Sequence, residues 1–314
     1  MVNEIKEKIL KSNSIIITAH ISPDGDAVGA GLALLKGVEK LNKNCKARFV
    51  LQDKIPDKLN FLGLSKRAEI YDEQKSYDFD LGICVDSATF ERTGAVKDLF
   101  QDKYVINIDH HISNTKYGDI NYVKNISSTS EIVYNLLKVW NVEIDVEMGE
   151  SMYTGLVNDT GNFQHDNVTT KTFAMAGDLI NLGVNNSKII REFWNRYSMA
   201  GMKLLGKAMY EMEFFKDKKL AYFFLSNDEL KRFNGRKEDT ESIVERLIAF
   251  EDADVSLFLR EDKPGFIKGS MRSKHSTDVN SIASNFGGGG HKKAAGFSSE
   301  LPPEEILKIV LEKL

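Results

Sequence analysis

Residues 14–41 read SIIITAHISPDGDAVGAGLALLKGVEKL, and the plan of the N-terminal half can be worked out from this stretch. Ser14–Ala19 is apolar and β-branched, the composition of a strand buried on both faces. From Ala27 to Leu41 the residues Val28, Leu32, Leu35 and Val38 recur at helical spacing, with Ala30 and Leu34 beside them. Between strand and helix stand His20, Asp24 and Asp26. The alternation continues downstream. Lys46–Leu51 (KARFVL), Leu81–Asp86 (LGICVD) and Tyr104–Asp109 (YVINID) read as strands, and Glu131–Trp140 as a helix, with Ser128 at capping-box spacing from Glu131. Strands alternating with helices predict a mostly parallel sheet covered on both faces, an α/β fold. In such sheets ligands bind beyond the carboxyl ends of the strands, where this chain puts acids and histidines.

Farther along, Lys188–Phe215 has few helix breakers and is expected to form one long helical connector. The pattern then restarts on a smaller scale. Leu220–Leu225 reads as a strand and Thr240–Phe250 as a helix. Asp254–Arg260 and Phe266–Arg272 form a strand pair turning at Lys263-Pro264-Gly265. Asp278–Phe286 and Glu304–Leu314 are helices. The expected organisation is an N-terminal domain 1–187, a helical linker 188–215 and a smaller α/β domain 216–314.

Composition narrows the functional classes. A chain of 314 residues fits two domains, and 42% apolar with 28% charged residues is ordinary for a globular protein. No apolar run approaches the ~20 residues that span a bilayer, and the opening MVNEIKEKIL is no secretory signal. Two cysteines, Cys45 and Cys84, cannot make a disulfide framework or a Cys-based zinc site. Cys84 reads as a buried free thiol, and a reducing cytoplasm is the expected location. Residues 1–187 carry 20 Lys and Arg against 26 Asp and Glu, whereas 188–314 carry 22 against 20. The acidic half suits cations and the mildly basic half an anionic ligand. Neither has the dense basic stripe of a protein that binds long duplex nucleic acid.

Four segments carry residues of metal chemistry: His20-Ile-Ser-Pro-Asp24-Gly-Asp26, Asp86, Asp109-His110-His111, and Asp159 in GLVNDTGNF. Any one could be a cap or a turn. Four together, three at predicted carboxyl ends of strands, are hard to explain by turn chemistry, because converging acids repel unless a cation sits among them. Carboxylates with imidazoles and no thiolate suit Mn²⁺ or an ion of similar hardness. The donors are too many for one ion, and two ions are the arrangement that drives in-line displacement at phosphorus. Gly25, Gly29 and Gly31 lie where a dinucleotide fingerprint would fall, but the spacing is wrong and Asp24 and Asp26 would repel a pyrophosphate.

These segments, in this order and with the Asp109-His110-His111 triplet, resemble the DHH phosphoesterase superfamily. Phe286-Gly-Gly-Gly-Gly-His291-Lys-Lys-Ala-Ala-Gly296 resembles its DHHA1 companion domain. The length and the lack of sensor segments resemble the stand-alone oligoribonuclease/pAp-phosphatase (NrnA-like) branch. The resemblance implies that His20, Asp24 and Asp86 hold one Mn²⁺, and that Asp26, Asp86, His110 and Asp159 hold a second, with Asp86 bridging. It implies that His111 faces the scissile phosphate and that Asp109 orients a neighbouring histidine. Arg272, Gly288, Gly289, Gly290 and His291 would bind the nucleotide away from the metals, with Arg92 a further contact and Lys268, Lys274 and Lys292 adding diffuse attraction. His165 and His275 read as solvated loop residues. The implied activity is hydrolysis of short RNA to mononucleotides and of 3′-phosphoadenosine 5′-phosphate to AMP, on single-stranded or small nucleotides and without a membrane. The alternatives are a phosphodiesterase for cyclic or linear dinucleotides (c-di-AMP, pApA) and, in a different class, a catalytically silent nucleotide sensor. The oligomeric state is open, a homodimer included.

Overall fold

The structure, a computed structural model, describes all 314 residues, Met1–Leu314. The chain forms two compact units, Met1–Arg196 and Tyr197–Leu314.

The first unit is built on six strands: β1 (Ser14–Thr18), β2 (Lys46–Leu51), β3 (Ala68–Ile70), β4 (Leu81–Val85), β5 (Tyr104–Asp109) and β6 (Ile120–Val123). They lie in the order β3-β2-β1-β4-β5-β6, and every pair is parallel. From β1 the chain steps outward through β2 and β3, then returns to pair β4 with the other side of β1. The strand order therefore reverses between β1 and β4, which opens a crevice at their carboxyl ends. Alternate residues of one strand feed different layers. Ile15 and Ile17 join a large core with α1 (Val2–Lys11), α2 (Gly25–Leu41), α3 (Thr129–Val139), α4 (Val146–Asp159) and α5 (Thr170–Asn181). Ile16 joins Val50, Cys84, Val96 and Phe100 in a thinner layer on the opposite face, partly supplied by the 3-10 stretch Phe90–Phe100. Both faces are covered, as the alternation predicts, but unequally. Cys84 is fully buried, and burial pushes its thiol up to about 12.

Helices α2 and α4 approach closely because each is glycine at the crossing. A Cβ on Gly29 would lie 2.3 Å from the Ser151 carbonyl oxygen, and one on Gly155 would lie 2.1 Å from Ser130 Oγ and 2.6 Å from Asp26 Oδ1. Close packing, not phosphate binding, accounts for the glycine at position 29.

The unbroken helix expected over Lys188–Phe215 does not form. A short α6 (Asn186–Ile189) runs into a π-helical turn, Ile190–Trp194, that ends at Asn195. A new helix, α7 (Met199–Glu211), starts with Ser198 as its cap, and β7 (Glu213–Phe215) follows. Ser198 accepts from the Gly201 N–H, so a side chain competes here with helix continuation.

The second unit has β8 (Leu220–Leu225), β9 (Val255–Lys263), β10 (Phe266–Ser273), β11 (Gly289–His291) and β12 (Ala294–Ser299) besides β7, in the order β11-β12-β10-β9-β8-β7. All pairs are antiparallel except β8 with β9. Helices α10 (Val279–Ser284) and α11 (Pro303–Lys313) cover one face through Val279, Ile282, Ile306 and Val310. On the other face α7, α8 (Asn227–Arg232) and α9 (Ile243–Ile248) pack on residues of β8 and β9.

Candidate active site

Each of the four segments ends at the β1/β4 crevice. After β1 the chain carries His20 and then Asp24, which caps α2 by accepting from the Asp26 and Ala27 N–H groups at 3.0 and 3.1 Å. Asp26 follows in the first turn of α2 and is fully buried. Its two carboxylate oxygens accept from the Thr129 N–H at 2.6 Å and the Ser130 N–H at 2.8 Å, at the start of α3. Ser128 caps that helix through the Glu131 N–H, but Glu131 does not complete a capping box; its carboxylate takes Ser127 and Thr172 hydroxyls instead. Asp86 follows β4, and Asp109 ends β5 with His110 and His111 directly after it. Asp159 is not in a turn; it is the last residue of α4.

The donor atoms converge. His20 Nε2 is 3.6 Å from Asp86 Oδ2 and 3.8 Å from Asp24 Oδ1. His110 Nε2 is 3.6 Å from Asp86 Oδ1 and 3.0 Å from Asp159 Oδ2. The two oxygens of one carboxylate thus address two different imidazoles. Each imidazole has Nδ1 against a backbone carbonyl, His20 against Ile21 at 2.8 Å and His110 against Ile126 at 3.3 Å. Nδ1 is therefore the donor to the backbone, and Nε2 faces the acids, the nitrogen that would ligate a metal once its proton is displaced. Separations of 3.6–3.8 Å are too long for hydrogen bonds. His20, Asp24 and Asp86 form one group able to hold an ion, and Asp26, His110 and Asp159 form another. Carboxylate oxygens and imidazole Nε2 atoms converging on the same two places are a donor set that fits two divalent ions.

The electrostatics carry the same demand for positive charge. Burial alone would lower the His20 pKa, but Asp24 and Asp86 hold it well above its ordinary value. His110 is raised likewise, with Asp159 the strongest influence against burial. Burial pushes the Asp26 pKa up, and Asp159 and Asp86 push it further. Burial also opposes ionisation of Asp86, yet the three histidines around it hold its carboxyl below the usual range.

Three residues of the site have no counterpart in the sequence reading. Thr129 donates its hydroxyl to Asp86 Oδ1 at 3.0 Å while its N–H holds Asp26. Asn158 donates to both Asp24 Oδ2 at 3.1 Å and Asp159 Oδ1 at 2.9 Å. Asn114 donates to Asp109, which in turn takes the His111 Nδ1–H at 2.8 Å. The hydroxyl run Ser127–Ser130 was a visible signal, since one helix needs only one cap. Arg92 is exposed, and its carbonyl accepts from the Ile21 N–H. His165 is exposed with Nδ1 on the Asp159 carbonyl, and the exposed His275 pairs with Asp254.

In the second unit the sheet register places Arg272 and His291 on either side of Ala294 in one row across β10, β12 and β11. Gly290 has φ +152°, and a Cβ there would lie 2.4 Å from the Ala294 carbonyl, so this tight pair of strands needs glycine. Gly288 borders Gly296 and Phe297, and a Cβ on Gly289 would make an ordinary contact with Asn280 Oδ1 at 3.6 Å. Arg272 is held by Glu245, 2.5 Å from its Nε, and by the Met271 carbonyl. Lys274 is held in place. Its ammonium donates to the Phe250 and Glu251 carbonyls just past α9.

Sequence profiles described as "DHH family, N-terminal domain" and "DHHA1 domain" match residues 14–156 and 217–314. A Streptococcus mutans protein described as a "probable bifunctional oligoribonuclease and PAP phosphatase NrnA" is 30% identical over 94% of this chain and 92% of its own length. This chain belongs to the DHH/DHHA1 phosphoesterase family. Among DHH/DHHA1 relatives, the bifunctional oligoribonuclease and PAP phosphatase NrnA of Thermus thermophilus is 29% identical over 96% of this chain and 90% of its own. A crystal structure of an exopolyphosphatase-related protein from Bacteroides fragilis covers 99% of this chain and 94% of its own, with 27% identity and a TM-score of 0.92. No helix of this DHH/DHHA1 chain is long and apolar enough to cross a membrane.

Proposed function

We propose that this chain is a two-metal phosphoesterase that hydrolyses short single-stranded RNA to mononucleotides and 3′-phosphoadenosine 5′-phosphate to AMP. The observation that carries the reading is the Asp86 carboxylate, whose oxygens face His20 on one side and His110 on the other. His20, Asp24 and Asp86 would hold one ion, and Asp86, Asp26, His110 and Asp159 the second, Mn²⁺ by the hardness of the donors. Bound there, the ions would supply an activated water and stabilise oxygen charge at phosphorus. Asn158 and Thr129 hold the acids in place. His111, with Nδ1 committed to Asp109, would give a proton from Nε2 to the leaving oxygen. Arg272, Gly288, Gly289, Gly290 and His291 take a nucleotide phosphate, with Arg92 a further contact. The complete ligand set counts against a silent sensor. The relatives' names favour oligoribonucleotides and PAP over dinucleotide signals. Two buried free thiols suit a reducing cytoplasm.

The test is product analysis by chromatography after chelation and re-addition of metal. Substrates are an RNA dimer, a five-residue RNA, 3′-phosphoadenosine 5′-phosphate and pApA. Chelation should abolish release of mononucleotides, and Mn²⁺ should restore it better than Ca²⁺, which prefers more oxygen ligands. Full activity in excess chelator overturns the two-metal reading. Turnover of pApA alone overturns the substrate assignment.

A further inference from the structure

Behind His111 lies a polar cluster that the two-ion arrangement does not use. Asp109 is fully buried, with one oxygen on the His111 Nδ1–H at 2.8 Å and the other on Asn114 Nδ2 at 2.6 Å. The Asn114 amide cannot be turned over, because its Oδ1 accepts from the Lys116 N–H at 2.7 Å. Asn114 Nδ2 also lies 2.8 Å from Asn107 Oδ1 and 3.2 Å from the Ser87 carbonyl. That carbonyl further receives the Tyr117 hydroxyl at 3.1 Å and Asn107 Nδ2 at 3.3 Å. Ser87 directly follows Asp86.

We propose that Asn114 is a positioning residue for the reaction: it fixes the plane of the Asp109 carboxylate, and through it the ring of His111. A carboxylate held at one oxygen can rotate about its Cβ–Cγ bond and let the imidazole follow. Held at both, it confines the ring to one orientation, which is what a proton donor needs at the moment of bond cleavage. The segment carrying Asn114 is itself anchored, with the Asn114 N–H on the His111 carbonyl at 3.2 Å and the Thr115 N–H on the Ala88 carbonyl at 2.9 Å.

The proposal rests on the reading of His111 as proton donor, and the experiment separates the two. Asn114→Ala, Asn114→Asp and His111→Ala are assayed on an RNA dimer, whose leaving alkoxide needs a proton, and on a nitrophenyl ester of a nucleotide, whose leaving group does not. Bound metal and the thermal midpoint are measured on each. Asn114→Ala should lower kcat on the dimer about ten- to hundredfold, with little change in KM, metal content or midpoint. On the nitrophenyl ester its loss should be much smaller, as for His111→Ala. Asn114→Asp keeps the shape but sets a carboxylate against Asp109, and should lose at least as much. Wild-type kcat in Asn114→Asp overturns the proposal, since shape alone would then suffice. Equal losses on both substrates, or lost metal, in Asn114→Ala overturn it as well. If His111→Ala favours the nitrophenyl ester and Asn114→Ala does not, only the positioning role fails. If His111→Ala shows no such preference, the assignment of His111 fails and takes this proposal with it.

Discussion

Asp86 has φ +53°, a left-handed conformation at the end of a buried strand. Aspartate and asparagine visit this region more readily than other side chains, because a short polar group can bond locally. Here Asp86 donates its N–H to the Ile108 carbonyl and accepts the Thr129 hydroxyl. The strained backbone is what turns both carboxylate oxygens toward different histidines. Two substitutions separate this conformation from the chemistry. Asp86→Asn keeps the local tolerance but weakens the shared acceptor. Activity should fall more than about a hundredfold, beyond what outer-shell residues cost, and the metal-free protein should lose the stability that the three histidines give the ionised carboxylate. Asp86→Ala should be equally inactive and also less stable than Asp86→Asn by about 1 kcal/mol. Thermal melts in chelator against activity in Mn²⁺ measure both. Retained activity in Asp86→Asn would remove Asp86 from the centre of the site.

Among the elements, the crossing of α2 and α4 does most to bring the acids together. Asp24 and Asp26 begin one helix, Asn158 and Asp159 end the other, and Asn158 bonds across to Asp24. Gly29→Ala should destabilise by about 1–3 kcal/mol, the cost of overpacking, because the new methyl would meet the Ser151 backbone carbonyl, which cannot swing aside. The same change at Gly177, inside α5 with nothing within 4 Å of the added carbon, should stabilise by about 0.4–1 kcal/mol. Denaturant melts of the two variants give opposite signs if packing decides. A stabilised Gly29→Ala would mean that the helices are free to move apart.

At the scale of the molecule, the proposed metal ligands lie in the first unit of the chain, and Arg272 and His291, the proposed nucleotide contacts, in the second. Arg272→Ala and His291→Ala should leave metal binding on the first unit untouched. Each should weaken nucleotide binding by about 1.5–3 kcal/mol, roughly ten- to a hundredfold, the worth of a charge-assisted hydrogen bond. KM for the RNA dimer should rise, while turnover of a small activated phosphodiester persists. Steady-state kinetics on both substrates, with metal analysis, check this. Equal losses on the two would place Arg272 and His291 in the service of the fold.

The alternation of strand and helix, the parallel sheet through β1, β2, β4 and β5, and the acids and histidines beyond the strand ends were legible in residues 14–159, whereas the short edge strands β3 and β6 and helix α4 were not. The legible features depend on local pattern, and in Leu81–Val85 with Asp86, or in Tyr104–Asp109, the apolar run and its terminal acid are adjacent in the chain. The second sheet was read less fully. β11 and β12 were missed because Gly289–His291 and Ala294–Ser299 carry little apolar alternation and exist through their pairing. The helix across Lys188–Phe215 was overread, since composition favours it while the Ser198 cap and the π turn end it. Only the tertiary structure decided how the site is held. The Thr129 N–H meets Asp26 across 103 positions of chain, and Asn158 meets Asp24 across 134. Spacing within a segment says nothing about such partners. They are chosen when helices capped at one end and packed through glycine bring distant polar groups together, and those that are buried must each find a bond.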